Sequence, residues 1–301
     1  MALDAGPYTE AATSKYIEVD GVPIHYNEAG SGEPLICINA WGEGMTAWFT
    51  YHRNLEELAE NYRVLLLDPI HTGRSGTAFA ESTTPELHRA LVCRYIKGFM
   101  DALGIEQAAM IGTSTGGTTA LCFALLYPGS VSKIVLSGCG ISNGDNALLF
   151  NPVFYDEETA EIVCRQEGIK LGLAAMMDPS RDNIERFAKE ALVFNSNLIT
   201  DEHVDHMCTL ANEAGSADKR KHLDSFYASF LVHNNLPDLP KFKIPTLFFH
   251  GRYDNVVSPE VAVQAVGLIP DCRVVLLRCG NLLPFEKPDD FSSITLGFLA
   301  S

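Results

Sequence analysis

Short aliphatic and β-branched runs alternate along the chain with segments whose apolar positions recur every three to four residues, so strands and helices are expected in turn. Residues 15–30, KYIEVDGVPIHYNEAG, read as two strands around an Asp20-Gly21 turn, a hairpin signal. PLICIN (34–39) and VLLLD (64–68) are apolar runs too short for helices and predict buried strands. From Pro85 to Leu103 the helical period returns, with Gly104 as its stop. AAMIGT (108–113) predicts a strand, GGTTALCFALLY (116–127) a largely apolar helix ended by Pro128-Gly129, and SKIVLSG (132–138) the next strand.

Residues 143–235 break this rhythm. They hold long amphipathic stretches such as DEETAEIVCRQEGIKLGLAAMM and NIERFAKEALVF, and no convincing strand. PTLFFHG (245–251) and CRVVLLR (272–278) then resume the strand pattern, and KPDDFSSITLGFLAS predicts a closing helix. The order implies an α/β protein with a mostly parallel central sheet flanked by helices. Its expected domains are a core of 1–142 plus 236–301 and an inserted helical module of 143–235.

Charge narrows the partners. Among 301 residues, 22 Lys+Arg face 38 Asp+Glu, for a formal charge of −16, which disfavours nucleic acid and anionic membrane surfaces. At 47% hydrophobic and 20% charged residues the chain can build a sizeable core. No apolar run is long enough for a membrane helix, and the first residues have neither the basic start nor the apolar centre of a signal peptide, so a cytoplasmic protein is expected. The eight cysteines lie scattered in apolar segments with no C-x-x-C pair and read as reduced, mostly buried side chains.

Candidate chemistry centres on Gly112-Thr113-Ser114-Thr115-Gly116, a G-x-S-x-G sequence between a predicted strand and a predicted helix. Small residues permit a tight turn that lifts the Ser114 hydroxyl above the sheet edge, while the Thr115 N–H at the helix start points toward whatever bonds to that oxygen. Without that flanking structure the pentapeptide would be only a glycine-rich turn.

With this turn, the chain from about residue 15 to 300 resembles the α/β-hydrolase family, the insertion taking the place of the cap domain. The likeness is greatest to small cap-bearing members such as carbon–carbon bond (meta-cleavage-product) hydrolases, esterases and epoxide-type relatives. Asp68-Pro69-Ile70-His71-Thr72-Gly73-Arg74-Ser75 resembles the family's D-x-x-x-x-G-x-S loop. His250-Gly251-Arg252-Tyr253-Asp254 resembles H-G-x-x-D, whose aspartate is the acidic triad member, and Gly280 to Glu286 with Pro288 resembles G-H-x-x-x-x-E-x-P. The resemblance implies Ser114 as nucleophile, Asp254 as acid and position 281 as base. Read without it, Asp254 could equally cap its own loop, since Asp-Asn is good turn chemistry.

Position 281, however, is asparagine. An amide cannot take the serine proton and return it to a leaving group. Three explanations stand open: a deliberately inactivated Ser-His-Asp hydrolase, a natural enzyme whose lyase, isomerase, decarboxylase or cyclase chemistry needs no imidazole there, or a ligand receptor with a retired triad. After PLICIN, where relatives often carry H-G, the chain reads Asn39-Ala40-Trp41-Gly42-Glu43-Gly44. Backbone amides near Trp41 and Gly42 would complete an oxyanion hole with Thr115; Asn39 orients the loop, Trp41 suggests a pocket wall, and Glu43 is a polar contact.

If another base stands in for the imidazole, the remaining histidines are its candidates. His71 reads as a surface loop residue near the pocket rim, His250 as a satisfied core histidine, and His233 as the exit of the insertion. His203 and His206 lie three apart on a polar helix, better explained as a solvated face than as metal ligands. No metal or cofactor is expected. The partner expected is a small, largely apolar carbonyl or ester substrate, and a homodimer is the assembly to test for.

Overall fold

The computed structural model describes residues 7–40, 42–78, 85–141, 167–213, 215–220 and 235–301, with the side chains of 85–87 and 220 left aside. Eight strands form one sheet in the order β1-β2-β4-β3-β5-β6-β7-β8. They are β1 Ser14–Val19, β2 Val22–Ala29, β3 Glu33–Ile38, β4 Tyr62–Leu67, β5 Ala108–Thr113, β6 Val131–Ser137, β7 Thr246–Gly251 and β8 Cys272–Leu277. β2 runs antiparallel to both β1 and β4, and every pairing from β4 through β8 is parallel.

The hairpin forms where its turn chemistry demands. Asp20 and Gly21 take φ of 49° and 77°, the two left-handed residues of a tight two-residue turn, and Val19 pairs with Val22. β5 and β7 are buried at every position, as strands covered on both faces must be. One face packs on helices α3 (Pro85–Ala102), α4 (Thr115–Leu126) and α9 (Glu260–Leu268). The other packs on α2 (Ala47–Ala59) and α11 (Pro288–Leu299). The numbering counts a one-turn α1, Glu10–Thr13, and α10, Leu283–Glu286.

α2 and α9 were absent from the elements expected above, and the reason in α2 is visible. Trp48, Phe49, Thr50, Tyr51, His52, Asn54 and Leu55 are all buried, so its polar residues interrupt the apolar period without facing water. Thr46 caps it, accepting from Phe49 N at 3.0 Å.

Between β6 and β7 the described residues contain helices and no strand: α5 Glu167–Met177, α6 Arg181–Arg186 continuing into a π-helical turn at Phe187–Leu192, α7 Asp201–Ala211 and α8 Ser216–Arg220. A third apolar cluster joins this segment to the sheet's carboxyl edge through Ala40, Met45, Phe49, Leu282 and Phe285. Among the described residues no helix is long and apolar enough to cross a membrane.

At the start of α4 the packing leaves no room for side chains. A Cβ on Gly116 would meet Ile38 O at 2.4 Å and Asn39 O at 2.3 Å. Gly116→Ala is therefore expected to lower stability by about 2 kcal/mol or more, because backbone rather than a flexible tip must yield. A urea midpoint equal to that of the parent protein would contradict this contact.

Candidate active site

Ser114 sits between β5 and α4 with φ 53° and ψ −124°, a conformation that L-residues adopt only when their surroundings impose it. Its N–H donates to Ser137 O at 2.7 Å, and its carbonyl accepts from Gly117 N at 2.9 Å and Thr118 N at 3.2 Å. A Cβ on Gly112 would lie 2.4 Å from Gly116 O, which explains the small residues on both sides of the turn. Beneath it, Tyr51 ties two strand ends together, its hydroxyl 2.9 Å from Ile38 O and 2.8 Å from Thr113 Oγ1. Thr115 opens α4, so its N–H belongs to the helix's first turn.

Asp254 follows β7 and is 1% exposed. Its Oδ1 accepts from Val256 N at 2.8 Å and Val257 N at 2.9 Å. Its Oδ2 accepts from Asn281 Nδ2 at 2.8 Å and lies 3.2 Å from His250 Nε2. Such a donor set suits a fixed carboxylate anion.

Asn281 Nδ2 also donates to Gly138 O at 2.8 Å. Both neighbours of that atom are acceptors, so the amide orientation is determined. Asn281 Oδ1 faces the other way, buried and without a partner among the described residues. Ser114 and Asn281 are thus anchored to the adjacent residues Ser137 and Gly138 at the end of β6, with Asp254 behind the amide. The expected serine, acid and amide come to one place on the sheet's carboxyl edge. The acceptor left over at position 281 is an amide oxygen, which cannot relay a proton.

The loop after β3 is partly described. Trp41 lies outside the described residues, as does His233. Asn39 is buried, its Oδ1 3.5 Å from Thr72 Oγ1 and its Nδ2 without a partner among the described residues. A Cβ on Gly42 would meet the Phe187 ring at 2.6 Å, so the π-helical turn presses directly on this loop. A cavity of about 40 Å³ opens beside it, lined by Asn39, Gly42, Glu43, His71, Thr72 and Lys219, among others. Burial pulls the Lys219 ammonium below its ordinary range.

Several histidine expectations require correction. His71 is not a surface residue: it is 6% exposed, holds φ 68° and stacks on His88 at 5.2 Å. His203 and His206 do not form a solvated face. His203 is 2% exposed, and both rings pack on Phe49, at 5.8 Å and 6.3 Å. Phe49 stacks in turn on Phe285, beyond residue 281. The polar composition of α7 concealed this, because the apolar partner lies on α2. His250 is buried as expected, its Nε2 2.9 Å from Val257 O, but its Nδ1 has no partner among the described residues.

Sequence reasoning placed Glu286 in a pattern without giving it a task. The structure does: its carboxylate accepts from Gly280 N at 2.8 Å, Phe194 N at 2.9 Å and Asn195 N at 3.0 Å. With Leu282 N donating to Leu192 O at 2.7 Å, it pins the loop of Asn281 to the end of the π-helical turn. Glu286→Ala would leave three donors near a buried void and should cost about 3 kcal/mol or more, read as a lowered denaturation midpoint. An unchanged midpoint would show that solvent replaces the carboxylate.

The site geometry and the sheet order together define the class. The chain belongs to the alpha/beta hydrolase fold family, whose sequence profile matches residues 33–288. It is 33% identical over 304 residues to a 2-hydroxy-6-oxononadienedioate/2-hydroxy-6-oxononatrienedioate hydrolase of Burkholderia vietnamiensis, covering 97% of each chain. It is also 33% identical over 306 residues to a 2-hydroxy-6-oxo-6-phenylhexa-2,4-dienoate hydrolase of Burkholderia cepacia, covering 97% of this chain and 98% of that one. A solved meta-cleavage product hydrolase from Pseudomonas fluorescens IP01 shares the fold, with a TM-score of 0.80 at 24% identity over 95% of this chain and 97% of that one.

Proposed function

We propose that the chain is a cofactor-independent enzyme of the hydrolase type, acting on a small, largely apolar ester or carbonyl/C–C substrate at a site centred on Ser114. The reading is carried by the strained Ser114 turn facing the end of β6 where Asp254 holds the side chain at 281. Full-length relatives named as hydrolases of 2-hydroxy-6-oxo acids support the substrate class. In this reading Ser114 is the nucleophile or a hydrogen-bond donor, and Asp254 orients Asn281. The amides of Thr115 and of the Trp41–Gly42 loop receive developing oxyanion charge, with Asn39 supporting that loop. The described helices of the inserted segment, α5 to α8, serve as a cap that limits substrate size. The contacts of Phe187 with Gly42 and of Leu192 with Leu282 support that placement.

A second reading rests on Asn281 itself. Its nitrogen is fully used and its oxygen is a buried acceptor, which suits a lyase or isomerase that orients a substrate hydroxyl instead of passing a proton through an imidazole. The two separate on product analysis with aryl esters and 2-hydroxy-6-oxo-dienoic acids, comparing the parent with Ser114→Ala. Hydrolytic cleavage lost in Ser114→Ala supports the first. Conversion without uptake of water supports the second, and turnover indifferent to Ser114 overturns both.

A further inference from the structure

A complete serine–histidine–aspartate line exists in this molecule, away from Ser114. Ser14 begins edge strand β1 and is partly exposed. Its Oγ lies 3.0 Å from His25 Nε2, and His25 Nδ1 lies 2.8 Å from Asp68 Oδ2. His25 and Asp68 are both fully buried. The Asp68 carboxylate accepts from backbone donors, Ala47 N at 2.7 Å on Oδ1 and Arg74 N at 3.0 Å on Oδ2. An acceptor-only carboxylate fixes the proton of a neutral imidazole on Nδ1, which leaves Nε2 to accept from the Ser14 hydroxyl. The ring is also clamped: His25 N donates to Ser75 Oγ at 2.8 Å, and Tyr16 covers it at 5.0 Å between centroids.

Nucleophile, base and orienting acid therefore stand in hydrogen-bond order, the arrangement that activates a serine. Nothing in the proposed chemistry at Ser114 uses them. We infer that Ser14 is a second, separately activated serine, open to stoichiometric modification by small phosphoryl or acyl donors that carry a good leaving group. With a fluorophosphonate, the Oγ–P bond forms as the P–F bond breaks. The hydroxyl proton passes to His25 Nε2 and then to solvent, and fluoride departs. The line provides a base and its orienter, so the product is a stable adduct and turnover is not expected.

The test uses the full chain as Ser114→Ala, which removes the other candidate nucleophile and makes the outcome independent of the proposed function. After incubation with a small fluorophosphonate, peptide mapping should place one adduct on Ser14. It should be at least 100-fold enriched over the exposed Ser293, and absent from Ser14→Ala/Ser114→Ala. His25→Gln, where it folds, should lower the rate of Ser14 labelling at least tenfold; where it does not, the Ser293 comparison decides. Labelling of Ser14 no faster than Ser293, or labelling undiminished in a folded His25→Gln variant, would overturn the inference and leave the line a purely structural tie.

Discussion

Replacing Asn281 by histidine is expected to raise aryl-ester hydrolysis on the order of 10³-fold or more, the scale on which a missing general base is felt in a triad enzyme. The site is already arranged for it. Asn281 Nδ2 donates to Asp254 Oδ2 at 2.8 Å, the bond an imidazole Nδ1–H would inherit, and the carboxylate is fixed by two backbone amides. The second nitrogen would then take the place of an oxygen that now has no partner among the described residues. Steady-state kinetics on a generic aryl ester check this, with Ser114→Ala in the same background as the control. A gain abolished by that control would place proton relay at residue 281. No gain would mean that the pocket is built for chemistry that does not pass through an acyl-serine.

Acidification should loosen the protein well above the pH at which carboxylates titrate. Burial pushes His52, His203 and His206 down from 6.5 to about 4. Guanidinium groups add to it, Arg53 acting on His52 and His203 and Arg74 on His206, and a proton on His203 would repel one on His52 or His206, while Glu10 Oε2 lies 3.9 Å from the His206 ring nitrogen. Since the folded values are depressed, the unfolded chain takes up these protons first as pH falls. The stability they confer is complete above about 6.5 and is lost progressively toward 4. A drop from 6.5 to about 4 is worth up to about 3 kcal/mol for one deeply buried ring such as His52, and the three do not add, because charging one ring opposes charging the next.

The structural route is specific. His203 Nδ1 is the acceptor in the capping box of α7, with Thr200 N at 3.1 Å and Thr200 Oγ1 at 2.7 Å, and a proton there removes that acceptor. Urea midpoints at pH 7.5, 6 and 5 should fall steeply, and His206→Gln should flatten the slope by about one proton. Midpoints constant between pH 7 and 5 would contradict the buried, neutral state of these rings.

Much of the sheet could be read from the chain because its strands are covered on both faces and their sequences are correspondingly uniform, as in AAMIGT and TLFFHG. The Asp20-Gly21 turn, the Ser114 kink and the meeting of Asp254 with residue 281 were likewise legible, since each depends on local chemistry at fixed spacing. What escaped depends on contacts distant in sequence. His52 was hidden in a helix whose buried polar positions blur its period. The pairing of His203 and His206 with Phe49 joins α7 to α2, and the three amides taken by Glu286 come from two separate segments. A residue's type cannot announce a partner a hundred positions away.

The carboxylate of Glu286 fastens one side of the loop that carries residue 281. Prising residues 194 and 195 from residue 280 would take two of its three amides from a buried carboxylate, so this seam is the post on which the π-helical turn is hung.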